Sequence, residues 1–505
     1  TGSPPEPWNI LLHNVYLSAV EMDIPLLYTT ARGGLWISPK KAVFPDYSYL
    51  QAVELGHALA DAGLTIINAP KSVVSKFEEN CPSLRYMRPQ MLRNSLVRRN
   101  HALNNRTTML AALKYCLSDI EKSEAVEKLE GLPLVPLANG KFGTFSGSRT
   151  AEKIFVADEI GFKLLKDKLL DRIVDPTIEL DLLRDLHDIA KIGSINIYPL
   201  SAILLKDLLP TILPSDWHGK HLVNWNAAQN VHPTREWMEL LWSFFNINSA
   251  DLSLFLGWPL LPTSDENHLF QLTKDSSIIV GDRWSENLVN VLQKANCFIL
   301  SSSFIIEHAQ LGEYVHHATA SGLLETFLSA AGGLKNVPKI LKDITGVEMQ
   351  ELRGFLLQKK WFANGCLQDV HIEILKHLSI FKSFRKSSFV NLSDDVLILP
   401  PNDVDVELLG DDFIQPDSEK EESILTEFLG VKKIGKQEYY EHFAFKNLHK
   451  IPLVVHERIV LNLIKNFPSI ENEVPSLKSI LSEAPIIPNA DSRLKAPKEY
   501  VSLAF

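Results

Sequence analysis

Leu132-Pro-Leu-Val-Pro-Leu-Ala-Asn-Gly140 (LPLVPLANG) is the stretch that decides the fold class. A short apolar run punctuated by Pro133 and Pro136 and closed by Asn139-Gly140 is what a buried strand entering a tight turn requires. Phe142 then opens a return strand. The phrase recurs as Ile24–Thr29 (IPLLYT), Trp258–Thr263 (WPLLPT), His377–Lys382 (HLSIFK) and Ala484–Asn489 (APIIPN). Pro25, Pro133, Pro259, Leu378 and Pro485 share one slot, at spacings of 108, 126, 119 and 107 residues. Three residues on, Tyr28, Pro136, Pro262, Phe381 and Pro488 share a second.

Turn chemistry follows at Asn139-Gly140, Asp265-Glu266 and Asp491-Ser492; the first copy has Gly33-Gly34, and the fourth has lost the signal. Return strands begin at Leu35-Trp36, Phe142, Leu269-Phe270 and Leu494. Proline has no amide for a ladder, so these prolines belong at sheet edges or strand ends. In the second and third copies another strand follows, Ile154–Asp158 and Ile278–Asp282, whose aspartates read as helix N-caps.

Between the hairpins the apolar period becomes helical, over Tyr49–Ala62, Pro89–Ala102, Thr107–Leu117, Ile178–Ile192, Thr234–Phe245, Glu286–Lys294, Ser321–Ala331, Met349–Lys360 and Val455–Asn466. The predicted fold is therefore α+β: a helix-rich array of repeated units, each a β-hairpin or small antiparallel sheet covered by helices. Expected boundaries are 4–120, 121–245, 246–365, a degenerate fourth unit at 366–475, and the start of a truncated fifth at 476–505. Residues 1–3 read as a cloning scar, and the chain as an excised fragment of something longer.

The 505 residues are 45% hydrophobic and 22% charged, with a mean hydropathy of zero, which excludes wholesale disorder and collagen. No run approaches a membrane span, and the first residues lack the charged, apolar and small-residue zones expected of a signal peptide. A net charge of -10 argues against coating nucleic acid or an acidic membrane. Cys81, Cys116, Cys297 and Cys366 form no close pair, so a reducing setting is expected.

Two segments depart from this average. Residues 80–118 hold no acid but include Arg85, Arg88, Arg93, Arg98, Arg99, Arg106 and Lys114. Residues 394–422 carry eleven acids and one lysine, and with Pro400-Pro401, Gly410 and Pro416 they read as an acidic surface loop or linker. Guanidinium groups on adjacent helical turns can clamp a phosphate or carboxylate, which makes Arg85, Arg88, Arg93, Arg98, Arg99 and Arg106 the candidate partner or phosphate site. The competing reading is a solvated helix face.

No catalytic constellation is visible. There is no phosphate loop, no dinucleotide fingerprint and no ATP-site signature of the gyrase and heat-shock-chaperone type. Glu307, His308, Glu313, His316 and His317 match no zinc-helix spacing and read as partly exposed helix-end residues. Trp237 and Trp242, with Leu240, Leu241 and Phe245, read as core.

The phrases Gly34-Leu-Trp-Ile-Ser-Pro-Lys-Lys-Ala-Val-Phe44, Leu132–Gly140, His232-Pro-Thr-Arg-Glu-Trp-Met-Glu-Leu-Leu-Trp242 and Ala484–Pro497 resemble the repeat regions of sacsin-like proteins. The Arg85–Arg93 segment, with Pro89 leading a helix, is similar to that family's proline-then-arginine helix start. The resemblance implies a piece of a very large cytoplasmic chaperone-like protein, downstream of its ATP-binding module. It implies a noncatalytic chaperone or co-chaperone scaffold without a cofactor. Expected partners are protein clients and other modules of the parent chain, with heat-shock chaperones reached through the parent, and neither nucleic acid nor membrane. The alternative is an accessory region that regulates an adjacent ATPase module through the arginine-rich helical segment.

Overall fold

A computed structural model describes residues 5–29, 34–46, 55, 64–67, 84–98, 105–120, 128–281, 284–304, 306–384, 388–393, 397–445, 448, 451–489 and 493–500. The chain forms two compact units, Thr1–Ser215 with Pro233–Leu254, and Asp216–His232 with Phe255–Phe505. The expectations for residues 1–3, the helix over Tyr49–Ala62, and Asp491-Ser492 fall outside the described residues.

Each proline phrase pairs as an antiparallel hairpin. Tyr28 faces Trp36, Pro136 faces Phe142, Pro262 faces Leu269 and Pro488 faces Leu494. The prolines occupy strand ends, since Pro136, Pro262 and Pro488 close their strands and Pro259 opens one. At the turns, Gly140 has φ 82° and Glu266 φ 54°, the left-handed backbone that a tight reversal demands. In the fourth copy Phe381 pairs with Val390. Its hydrogen bonds run one residue later than the sequence alignment, with Lys382 O accepting from Gln415 N where Pro136 O accepts from Asp175 N and Pro262 O from Ser301 N.

The sheets extend beyond the hairpins in one recurring order. In copy two the first strand bridges antiparallel to a fourth (Leu137 to Val174). That strand runs parallel to the third (Phe155 to Ile173), and the third parallel to a fifth (Ile154 to Ile197). Copy one repeats this through Thr29–Ile67, Val43–Ile66 and Val43–Arg85. Copy three does so through Thr263–Leu300, Ile279–Ile299 and Ile279–His316. Copy four uses Ser383–Ile414, Ile398–Phe413 and Leu399–Lys433. The spatial order is thus second, first, fourth, third, fifth in all four. These sheets are mixed, where small antiparallel ones were expected. The physical reason is the crossover: a connection that passes over the sheet, such as helix Glu159–Leu169 between third and fourth strands, returns the chain in parallel.

Helices far outweigh strands among the described residues, as expected for a helix-rich α+β chain. Observed spans include Pro89–Arg98, Arg106–Leu117, Leu180–Ile192, Arg235–Ile247, Glu286–Lys294, Ala320–Ala331 and Leu453–Lys465. Met349–Lys360 divides into Gly346–Leu356 and Lys359–Phe362. Asp158 caps its helix by accepting from Gly161 N at 2.7 Å. The helix after the third copy's strand is instead capped by Ser285, which accepts from Leu288 N; Asp282 lies outside the described residues.

In the first unit, one core joins Val43, Ile66, Leu92 and Leu113 of the first copy to Leu134, Phe145, Val156 and Ile197 of the second. In the second unit, another joins Ile279, Leu324 and Leu352 to Ile380, Leu399, Ile414 and Leu425. Residues 397–422 of the acidic stretch contribute buried side chains to the second unit, which corrects its reading as a surface loop or linker. Leu397, Leu399, Leu408 and Ile414 are all buried, because the apolar side chains between the acids turn inward while most carboxylates stay in water.

Helix Gly346–Leu356 carries a charge-dependent anchor. Glu348 closes a capping box with Thr345, and both its oxygens accept from Lys294 Nζ at 2.8 and 2.7 Å. The Lys294 bond, followed by the Thr345 amide, lowers the Glu348 carboxyl from 4.5 to about 2. A carboxyl depressed by folding stabilises the native state fully above its unfolded value, and that contribution is lost as pH falls through the folded value. Urea unfolding should therefore show the difference between wild type and Glu348→Gln constant above about pH 5 and vanishing between about pH 4.5 and 2. A difference that persisted unchanged at pH 2 would contradict the ion pair.

Candidate functional site

The arginine-rich segment separates into different roles. Arg93 is 1% exposed, and its guanidinium donates to the Cys116 carbonyl at 2.5 Å, to Asp119 Oδ1 and Oδ2 at 2.5 and 3.1 Å, and to Gln90 Oε1 at 2.7 Å. It staples the first helix after the fifth strand to the end of the next one. Arg106 pairs with Asp175, donates to the Gly140 carbonyl at 3.4 Å and lies 5.7 Å from the Phe142 ring centroid. It therefore ties the first copy's helix to the second copy's hairpin. Arg85, Arg88 and Arg98 are exposed, and Arg99 lies outside the described residues. Two of the candidate arginines are thus committed to internal contacts, which removes them from a free phosphate clamp.

His316 and His371 are also structural. His316 stands on the fifth strand of the third copy, not at a helix end. Its Nε2 lies 2.9 Å from the Ser276 carbonyl and its Nδ1 3.0 Å from Glu325 Oε2. His371, buried on helix Asp369–His377, places Nε2 at 2.8 Å from the other Glu325 oxygen. One carboxylate on helix Ala320–Ala331 thus links a strand to a second helix. The thiols offer no nucleophile at Cys116 or Cys297, because burial pushes Cys116 up to about 12 and Cys297 higher still. Cys366 is exposed, and Cys81 lies outside the described residues. Trp237 and Trp242 are core, with Trp237 Nε1 donating to the Leu164 carbonyl at 2.9 Å.

The hairpin edges carry the surface chemistry. Second strands lie at the rim of each sheet, and in the third copy that rim is occupied. Leu222–Asn224 pairs antiparallel with it, matching Leu222 to Phe270, Val223 to Leu269 and Asn224 to His268. Trp225 N donates to the Asn267 carbonyl and Gln271 N to the His221 carbonyl, extending the ladder at both ends.

The first copy presents the same rim without such a strand among the described residues. Leu26 N donates to Ile37 O and Thr29 N to Leu35 O, both at 3.0 Å, so alternation turns the Trp36 amide and carbonyl toward the open side. Tyr28, Leu35 and Trp36 are 47%, 67% and 64% exposed. Tyr28 and Trp36 meet edge to face at 5.5 Å. The departure of Trp36 from the core, where most of the tryptophans lie, had no sequence signal, since Trp258 occupies a repeat hairpin too and is 4% exposed.

Human sacsin is similar to this chain. The two are 25% identical over 363 residues, which cover 66% of the chain and 8% of sacsin. The chain therefore spans a small part of its relative's length. No protein-family model matches it, and no solved structure does. A sacsin-like relationship thus has support from alignment as well as from the repeated phrases. No helix among the described residues is long and apolar enough to cross a membrane.

Proposed function

We propose that this chain is a noncatalytic, cytoplasmic segment of a sacsin-like chaperone or scaffold that holds extended segments of unfolded client proteins. The client adds as an antiparallel strand to the first copy's hairpin edge. The observation that supports this reading is the strand Leu222–Asn224 of this chain seated on the equivalent edge of the third copy. Backbone bonds give a strand added in this way its affinity, and alternate side-chain contacts give it selectivity. Tyr28, Leu35 and Trp36 offer apolar contact for a client's alternating side chains.

A reduced and alkylated protein, unable to fold, is a suitable probe. The chain should bind it and slow its aggregation without nucleotide. Trp36→Pro removes the outward amide and the indole together, and should weaken binding at least about tenfold, which corresponds to 1.4 kcal/mol. Because edge strands tolerate proline, its circular dichroism and melting temperature should match wild type. Trp36→Lys should act in the same direction, since lysine on an edge disfavours strand addition. No binding by the wild type, or equal binding by both variants, would overturn the proposal.

A further inference from the structure

A cavity of about 840 Å³ opens beside the final hairpin, with an apolar wall that includes Tyr440, Phe445, Ile451 and Leu494, and with the polar groups His456, Arg493, Glu441, Glu483 and His442, the last 4.0 Å from Glu441. Its size lies in the range that receives small organic ligands. Its polar groups fall into two classes. Glu441 accepts from Gln437 Nε2 and Ser476 Oγ, both at 3.0 Å, and Glu483 pairs with Lys498 at 3.2 Å. Those carboxylates are answered from within the protein.

His456 and Arg493 are not. His456 is 2% exposed, yet neither ring nitrogen has a hydrogen-bond partner among the described residues. Native interiors rarely leave such a group unsatisfied, because its desolvation is uncompensated. Burial lowers the imidazole below its ordinary value, so at neutral pH it presents one donor and one acceptor. The Arg493 guanidinium, just ahead of strand Leu494–Lys495 at the same cavity, has no ion-pair partner among the described residues either; only its backbone is used, the amide donating to Asn489 Oδ1 and the carbonyl accepting from Asn489 N.

We infer that this cavity binds a small carboxylate with an apolar body: Arg493 takes the anion, the aromatic and aliphatic wall covers the body, and His456 makes the buried hydrogen bond. A planar guanidinium matches a carboxylate in two-point geometry. The two rim glutamates decide against a multiply charged phosphate, which they would repel, and favour a monoanion with most of its surface apolar. Such a ligand is either a free amphiphilic acid or the C-terminal end of an apolar peptide. The inference is independent of strand addition at Trp36.

Calorimetric titration of the full chain at pH 7 with decanoate and with N-acetyl-Leu-Leu-Phe free acid separates the two sources. Decanol and the peptide amide serve as the uncharged counterparts. At least one acid should bind about tenfold or more tightly than its counterpart. Arg493→Gln should erase that difference. His456→Phe keeps the ring's shape and removes its nitrogens, so it should weaken acid binding without lowering the melting temperature. Absence of binding by both acids, equal binding of acid and counterpart, or an undiminished preference in Arg493→Gln would each overturn the site.

Discussion

Asp119→Ala is expected to destabilise the first unit by about 3–5 kcal/mol, and Arg93→Met by clearly less. The asymmetry follows from which partner is buried. Arg93 is almost wholly enclosed, whereas the Asp119 side chain is 38% exposed. Removing the carboxylate strands a guanidinium in the interior with only the Cys116 carbonyl and Gln90 to face. Arg93 Nε already lacks a partner, so the group has little left to lose before it must be rehydrated. Methionine at position 93 removes the charge itself and fills much of its volume, leaving Asp119 to water and one carbonyl unpaired. Urea unfolding followed by circular dichroism reads both variants. A larger loss for Arg93→Met than for Asp119→Ala would contradict this account.

The mirror case lies in the second unit. Arg353, 3% exposed, donates to Asp417 Oδ2 and Glu421 Oε1, both at 2.5 Å, and Asp417 also receives Lys382 Nζ at 2.7 Å. Here a buried partner is the carboxylate: Glu421 is 7% exposed and its second oxygen accepts from the Asp417 amide at 3.1 Å. Arg353→Met should therefore cost about 3–5 kcal/mol, because it isolates an ionised glutamate in a poorly hydrated place. Adding Glu421→Gln should restore a substantial part, since the neutral amide keeps the shape without the charge. A double variant no more stable than Arg353→Met would sink the explanation.

Both arginines show where the sequence stopped being readable. A run of basic residues without acids looks like a surface that binds something, but Arg93 and Arg106 find their acids 26 and 69 residues away. The acidic stretch misled for the complementary reason: its composition is that of a solvated loop, yet Glu421 is the counter-ion of a buried arginine. Hairpins were legible because proline and Asn-Gly restrict the backbone locally. The third strand was legible in the second and third copies, but that of the first copy and the fourth and fifth strands were harder. Pairs such as Val43–Phe44 or Phe298–Ile299 are two residues long and cannot display a period. Their traces can be found by setting copies side by side, as in Ala42-Val-Phe-Pro-Asp46 beside Ile154-Phe-Val-Ala-Asp158. The open rim at Trp36 had no local signal, because only the neighbouring strand of the third copy shows what is missing.

Four copies with one strand order also create a folding hazard. During synthesis, a newly made hairpin meets a sheet of the wrong copy whose geometry would accept it almost as well as its own, and such exchange is a familiar failure of tandem arrays. Divergence is a defence against it. The opening phrases IPLLYT, LPLVPL, WPLLPT and HLSIFK share a pattern but few residues, so a hairpin docked on a foreign sheet would find mismatched side chains beneath it. Low resemblance between neighbours is then a safeguard of assembly order, and making the copies more alike would be expected to slow correct folding.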